Sequence, residues 1–269
     1  MRINNNISAF NAYRNLTNTN NNLYKSLEKL SSGLRINRAA DDAAGLVISE
    51  SLRSAIGGMT VATRNAQDAV SVVQTAEGSL NEVTTLLQRM RDLAVQSANG
   101  SMDPAARAAA QAEVAQLTTE VDRIGSSTRF GSQGLFTTAS FTFQIGARST
   151  DTVNVTIGAL TTVTLTVSTV SVATGTQASA AITSIDTALA AVGTLRGTLG
   201  ATQNRFESSI RNLGVAIENT TAAESRIRDT DMSSEMVNFT KNQILQQAGT
   251  AMLSQANQSP QSILSLFQR

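Results

Sequence analysis

The side chains able to do acid–base chemistry in this 269-residue sequence are carboxylates and little else. Asp41 and Asp42 are adjacent, Asp229 and Asp231 lie close together, and Glu113 and Glu120 share one segment. A carboxylate pair works as general acid and base when its surroundings drive the two pKa values apart. Nothing nearby assists such a pair. The chain has no His and no Cys, which removes the commonest general base, thiol nucleophiles, disulfides and thiolate metal sites. The structural reading of the same acids is simpler. Asp41 and Asp42 precede an apolar-periodic run, where a carboxylate caps a helix and meets the positive end of its dipole. Asp229 and Asp231 read as cap and first-turn acids, and Glu113 and Glu120 as solvated helix charges. The sequence therefore predicts no enzyme: no catalytic, cofactor-binding or metal-ligating residues, and no cofactor.

Charge narrows the partners. Lys and Arg total 21, Asp and Glu total 20, and the net charge is +1. That balance supplies no electrostatic reason to bind nucleic acid or an anionic membrane. Charged residues are 15%, aromatics 4%, Trp is absent and Pro occurs twice. Much Ala with few aromatics and prolines points to long helices packed through small side chains. No run approaches the roughly 18–20 apolar residues of a membrane span. The first 22 residues have no apolar stretch of the secretory signal kind.

The elements that carry these residues follow from periodicity. Ile3, Ile7, Phe10, Leu16, Leu23, Leu27, Leu30 and Leu34 form one stripe of an amphipathic helix that ends near Gly33. Asn fills much of its other face and weakens it. From Leu52 a seam runs Ala55, Met59, Ala62, Ala66, Ala69, Val73, Ala76, Leu80, Val83, Leu87, Met90, Ala94, alternating steps of three and four. That is a coiled-coil repeat along a rod of roughly 75 Å. Gly57-Gly58 marks a bend or a tight contact within it. Asn99-Gly100 breaks the helix, and Asp103-Pro104 restarts one antiparallel to it.

Composition changes from Gly125 to about Thr176. Phe141–Ile145 and Val153–Ile157 alternate with period two around a turn, which predicts a β-hairpin. Val163, Leu165 and Val167 alternate with Thr and read as an exposed strand. Helix returns from Ala178 through Ile182, Ile185, Leu189, Val192, Leu199 and Phe206. A last helix starts near Asp231 and is interrupted at Pro260. The predicted fold class is mainly α: long coiled-coil-like rods built from both chain ends, with a small β-hairpin segment in the middle. Two domains are expected, one from residues 1–42 plus 230–269. The other is 43–229, a helical rod that includes the hairpin and Thr-rich segment at about 135–176.

A rod seam serves as bundle core, whereas the terminal stripes invite intermolecular packing. Each terminal helix is weak alone and gains most from burial against partners. The expected polymerisation contacts are Ile3, Ile7, Phe10, Leu23, Leu27, Leu30, Ile244, Leu245, Met252, Leu253, Leu264, Leu266 and Phe267. Residues 1–40 and 232–269 are expected to be largely unstructured in a free monomer. The basic stretch Lys29, Arg35 and Arg38 is either a solvated linker or a contact with acids of a neighbouring copy.

Several long motifs resemble one family. LSSGLRINRAADDAAG (30–45) and LQRMRDLAVQSANG (87–100) are similar to the amino-terminal signature of bacterial flagellin. LGATQNRFESSIRNLG, ESRIRDTDMSSEMVNFTKNQILQQAGTAMLSQANQ and SILSLFQR resemble its carboxy-terminal signature. The resemblance covers about 1–135 and 195–269, and FQIGA (143–147) resembles the family's hairpin entry. The middle is short, as in a form lacking large outer domains.

The resemblance implies a structural subunit that polymerises into the flagellar filament used for swimming. The terminal helices would form its inner core and the rods the next layer. It implies type III export to the extracellular flagellum, an export chaperone, and contacts with the flagellar cap and hook-associated proteins. It also implies recognition by the innate immune Toll-like receptor for flagellin through Arg89, Leu93 and Glu113, with Arg91 and Gln96 nearby. The alternatives are a hook–filament junction protein, which shares both signatures more loosely, and a membrane-active helical protein. The Asn- and Gln-rich polar faces of the terminal helices argue against the latter.

Overall fold

The computed structural model describes residues 5–137 and 140–267, with side chains to 259. Five helices dominate: α1 (Ile7–Ser32), α2 (Ala43–Ala98), α3 (Pro104–Ser127), α4 (Gly175–Arg228) and α5 (Met232–Phe267). Between α3 and α4 lie β1 (Arg129–Phe130) with β2 (Gln133–Gly134), then β3 (Ser140–Gln144) with β4 (Thr152–Thr156), two antiparallel pairs. The fold is mainly α, built from both chain ends around a small β region. The chain divides into two compact units: Met1–Ile56 with Glu218–Arg269, and Gly57–Ile217. The breaks fall inside α2 and α4, and in the first of these units Arg35 bonds the Ile227 and Arg228 carbonyls while Arg228 pairs with Glu50.

In the Gly57–Ile217 unit the seam of α2 is the core. Ala62, Ala66, Ala69, Val73, Ala76, Leu80, Val83, Leu87, Met90 and Ala94 are all buried. Helix α3 lies antiparallel to it. Thr128 Oγ1 donates to Ser79 Oγ (3.1 Å), Arg89 pairs with Glu113 (2.7 Å), and Arg107 Nε donates to the Ser97 carbonyl (3.0 Å). Helix α4 is also antiparallel to α2, through Arg91–Asp186 (2.6 Å) and Arg196–Glu77 (3.5 Å). Two partners require a wider buried stripe than a two-helix seam. Val72 beside Val73, and Leu93 beside Ala94, are accordingly buried. On α4 the deepest positions are Ala178, Ala181, Ile185, Ala188 and Val192, while Ile182 and Leu189 flank them. By length and composition a part of α4 is apolar enough to cross a membrane, and 28% of that stretch is buried inside the protein.

The hairpin forms as expected, with Phe141 opposite Val155 and Phe143 opposite Val153. Phe143 meets Phe206 of α4 edge-on at 5.7 Å, which anchors the hairpin to the helices. Gly58 is the tight contact anticipated at Gly57-Gly58: a β-carbon there would lie 3.0 Å from that of Ala147 in the hairpin turn.

The Thr-rich stretch is neither a strand nor exposed throughout. Leu160, Thr162, Leu165, Val167 and Val172 are buried, and Val163 alone of the expected series projects outward. The segment runs as a strap along α3. Asp122 accepts from the Thr162 backbone N–H and hydroxyl, both at 2.8 Å, and Gln111 accepts from the Val172 N–H at 2.6 Å. These side chains replace a strand ladder, so alternation occurs without a sheet. Gly125 lets the strap approach: a β-carbon there would stand 1.9 Å from the Leu160 carbonyl oxygen.

In the other unit α1 and α5 pack antiparallel. Asn6 Nδ2 donates to the Ala256 carbonyl (2.7 Å), Leu16 faces Gly249, and Lys29 approaches Glu235 (3.9 Å). Gly33, at φ +73°, ends α1 by donating its N–H to the Lys29 carbonyl. The chain then crosses the α4–α5 junction as one antiparallel bridge, Leu34 with Asp229. Arg35 N–H donates to the Arg228 carbonyl (2.7 Å) and Thr230 N–H to the Gly33 carbonyl (3.0 Å). Asp229 therefore sits in a bridge, not in a first helical turn, because the chain must cross there before α5 begins. Asp42 caps α2 by accepting from Gly45 N–H, and Asp231 caps α5 by accepting from Ser233 N–H. Ile36 is fully buried under α2. The α5 backbone remains helical through Pro260, where an interruption was expected. A proline removes one bond of a 36-residue helix, and the bonds on either side can hold it.

Candidate functional site: an apolar face on the terminal helices

The seam between α1 and α5 mixes four leucines and a phenylalanine with small and polar residues. Ala9, Ala12, Leu16, Thr19, Leu23, Ser26 and Leu30 line it on α1, spaced by threes and fours. Phe239, Asn242, Gln246, Gly249, Leu253 and Ala256 line it on α5 with the same spacing. The other large apolar side chains of the two helices point elsewhere. Phe10 is 70% exposed, Tyr24 71%, Val237 68% and Met252 67%. Ile7, Tyr13, Leu27, Met232, Met236, Ile244 and Leu245 are exposed as well. Each such side chain gains about 1.5–3 kcal/mol when it is fully buried. A cavity of about 390 Å³ opens in this face, lined by Asn6, Ala9, Phe10, Tyr13, Leu253 and Asn257.

Of the expected polymerisation contacts, Ile7, Phe10, Leu27, Ile244, Leu245 and Met252 are exposed on α1 and α5. Leu23, Leu30 and Leu253 are half-buried in the α1–α5 seam, because the three-four register aims them at the partner helix. Ile3 and the side chains of Leu264, Leu266 and Phe267 lie outside the described residues. Tyr13, Tyr24, Met232 and Val237 are exposed as well and fall outside that expected set. Their signal in the sequence is that they are large apolar residues of the same two helices.

The unit is closed by charge near the bridge. Arg228 Nη1 donates to Glu50 Oε1 (2.6 Å), which holds the Glu50 carboxyl below its usual value. The Arg38 backbone N–H donates to Asp41 Oδ2 (3.0 Å) and lowers the Asp41 pKa. The basic stretch is satisfied within the unit: Arg35 Nη2 donates to the Ile227 carbonyl (2.6 Å) and Arg38 Nε to Glu28 (2.8 Å).

The residues implied for receptor recognition are placed differently from expectation. Arg89 and Glu113 form an exposed ion pair between α2 and α3, and the hydrogen bond that Arg89 donates to Glu113 raises the Arg89 pKa. Leu93 is only 4% exposed. It faces the core because α2 packs against two helices, so it cannot present itself beside Arg89. Asp41 and Asp42, the closest carboxylates in sequence, are spent on backbone N–H groups. Among the described residues no group of three His, Cys, Asp or Glu is arranged to hold a metal ion.

Both ends of the chain match family models, for the bacterial flagellin N-terminal helical region over residues 3–140 and the C-terminal helical region over 182–267. The chain belongs to the bacterial flagellin family. It is 48% identical to a flagellin of Halalkalibacterium halodurans over 271 residues, covering 99% of this chain and all of the relative. It is 47% identical to the flagellar filament 33 kDa core protein of Treponema phagedenis, with the same coverage. These flagellins match end to end, so this chain is a short form lacking large outer domains. A crystal structure of Bacillus cereus flagellin superposes with TM-score 0.51 at 30% identity, over 56% of this chain and 88% of that one. A hook-associated protein from Vibrio parahaemolyticus superposes with TM-score 0.60 over 70% of this chain and all of its own, at 13% identity. That likeness concerns the fold alone, and the flagellin identities favour a filament subunit over a junction protein.

Proposed function

We propose that this flagellin is the repeating subunit of the flagellar filament and assembles by burying the open face of α1 and α5 against further copies. The observation that carries this is the amount of large apolar surface these helices leave uncovered. Their mutual seam takes in Leu16, Leu23, Leu30, Phe239 and Leu253, yet Phe10, Tyr24, Ile244 and Met252 are left in water. A patch of this kind is a recognised mark of an association surface. Seeded polymerisation of Ile244→Asp tests it. A buried unpaired carboxylate is costly, so the variant should fail to elongate seeds while its helicity is retained. Normal filaments from the variant would remove this face from assembly.

The family reading supplies further partners. The subunit is exported through the flagellar type III apparatus to the extracellular flagellum, with a chaperone on its carboxy-terminal helix before export. In the filament it adjoins the cap and hook-associated proteins. For the innate receptor, the exposed Arg89–Glu113 pair is the contact and Leu93 supports it from below. Arg89→Ala should weaken binding of monomer to the receptor ectodomain at unchanged circular dichroism; equal affinity would eliminate the pair.

A further inference from the structure

Methionine is distributed unevenly over the exposed surface. Met90 is fully buried in the α2 seam, and Met59 and Met102 are half-buried. On α5, Met232, Met236 and Met252 are 46%, 50% and 67% exposed. All three are exposed on α5, Met232 and Met236 one turn apart on one flank and Met252 on the opposite flank.

A thioether sulfur exposed to water reacts with a peroxide without help from a catalytic group. The sulfur lone pair attacks one peroxide oxygen and the O–O bond breaks. An S–O bond forms, and the second oxygen leaves as water with both protons. The sulfur loses two electrons and the peroxide gains them. The product is a sulfoxide, a polar group on a formerly apolar side chain. On a wet surface the change is harmless. On a face that must become dry, each sulfoxide oxygen requires a donor that an apolar partner does not provide.

We propose that Met232, Met236 and Met252 are peroxide-sensitive positions controlling assembly: oxidation of the free subunit disables α5 for packing against other copies, and burial in the polymer protects it. The proposal rests on the filament reading above. It is reversible in principle, because sulfoxide reductases restore the thioether.

The experiment treats purified monomer with hydrogen peroxide, maps sulfoxides by peptide mass spectrometry, and measures seeded elongation. Met232, Met236 and Met252 should oxidise well before Met90, and elongation should slow by about tenfold or more. Reduction with a pair of methionine sulfoxide reductases should restore it. The triple Met→Leu variant, if it assembles, should elongate equally with and without peroxide. Filaments treated in the same way should oxidise more slowly at these positions. Complete oxidation of the three with unchanged elongation would overturn the proposal, as would Met90 oxidising at the same rate. Failure of untreated protein to elongate seeds would count against the filament reading alone. The order of oxidation between Met252 and Met90 would still decide whether the α5 sulfurs are the reactive ones.

Discussion

Equivalent seam positions in the two units carry different kinds of residue. In α2 they are Leu80, Val83, Leu87 and Met90; between α1 and α5 they include Thr19, Ser26, Asn242 and Gln246. The first set is buried among three helices and a strap. The second is only partly covered, and many large apolar residues of its helices, Phe10, Tyr24 and Ile244 among them, lie outside. The same three-four spacing thus builds an internal core in one region and merely aligns two helices in the other. Apolar burial is the main favourable term in folding. The Gly57–Ile217 unit can supply it from within, and the terminal unit leaves much of its apolar surface uncovered.

Hydrogen exchange gives the widest separation between the two. In free monomer, amides of α2 between 66 and 94 should exchange only through global unfolding, and those of α1 and α5 through local opening. In filament both should be protected. Equal strong protection of both regions in monomer would abolish the contrast.

Core truncation comes next. Leu80→Ala should lower the stability of the central unit by about 2–5 kcal/mol in denaturant titrations. Gly125→Ala attacks the same unit from the strap side. The added methyl meets the Leu160 carbonyl, and the loss should be about 1–3 kcal/mol. A melt unchanged from wild type would mean that the strap is held loosely. Ile244→Ser sharpens the comparison from the opposite direction: monomer stability should change by less than about 0.5 kcal/mol, with assembly alone impaired. A large change in the monomer melt would show that Ile244 already serves a monomer core.

Acid should have the smallest effect. The carboxyls of Glu50 and Asp41 are held below their ordinary values by Arg228 and by the Arg38 N–H. Their contribution is present above the unfolded values, near pH 4, and is lost as pH falls through the lower folded values. Glu50 is about half exposed, so solvent screens much of its pairing. Amides at 227–230 should exchange slightly faster at pH 3 than pH-corrected rates from pH 7 predict, and an Arg228→Gln variant should lose that difference.

Helix limits and the α2 seam were legible because they depend on local spacing and on single residues such as Gly33, Asp103 and Pro104. The hairpin was legible from alternation. The strap was not, since its hydrogen bonds go to Asp122 and Gln111, side chains remote in sequence. Leu93 was misread for a related reason. A single helix does not disclose how many neighbours it has, and the second neighbour widened the buried stripe. On the terminal helices, spacing located the stripe but not which side of it faced the partner helix. Leu23 and Leu253 therefore turned inward, while Tyr13 and Tyr24 remained outside.

The crossing at Leu34 and Asp229 has a mechanical consequence. Helix α1 ends and helix α5 begins at residues joined by two backbone hydrogen bonds, Arg35 to Arg228 and Thr230 to Gly33. Tension applied along either helix loads this short clasp before it reaches the helix beyond. Antiparallel bonds lie across the strand direction, so a pull along the strands shears the pair together instead of unzipping it one bond at a time. The clasp is thus a strain-bearing joint whose failure would release both chain ends at once.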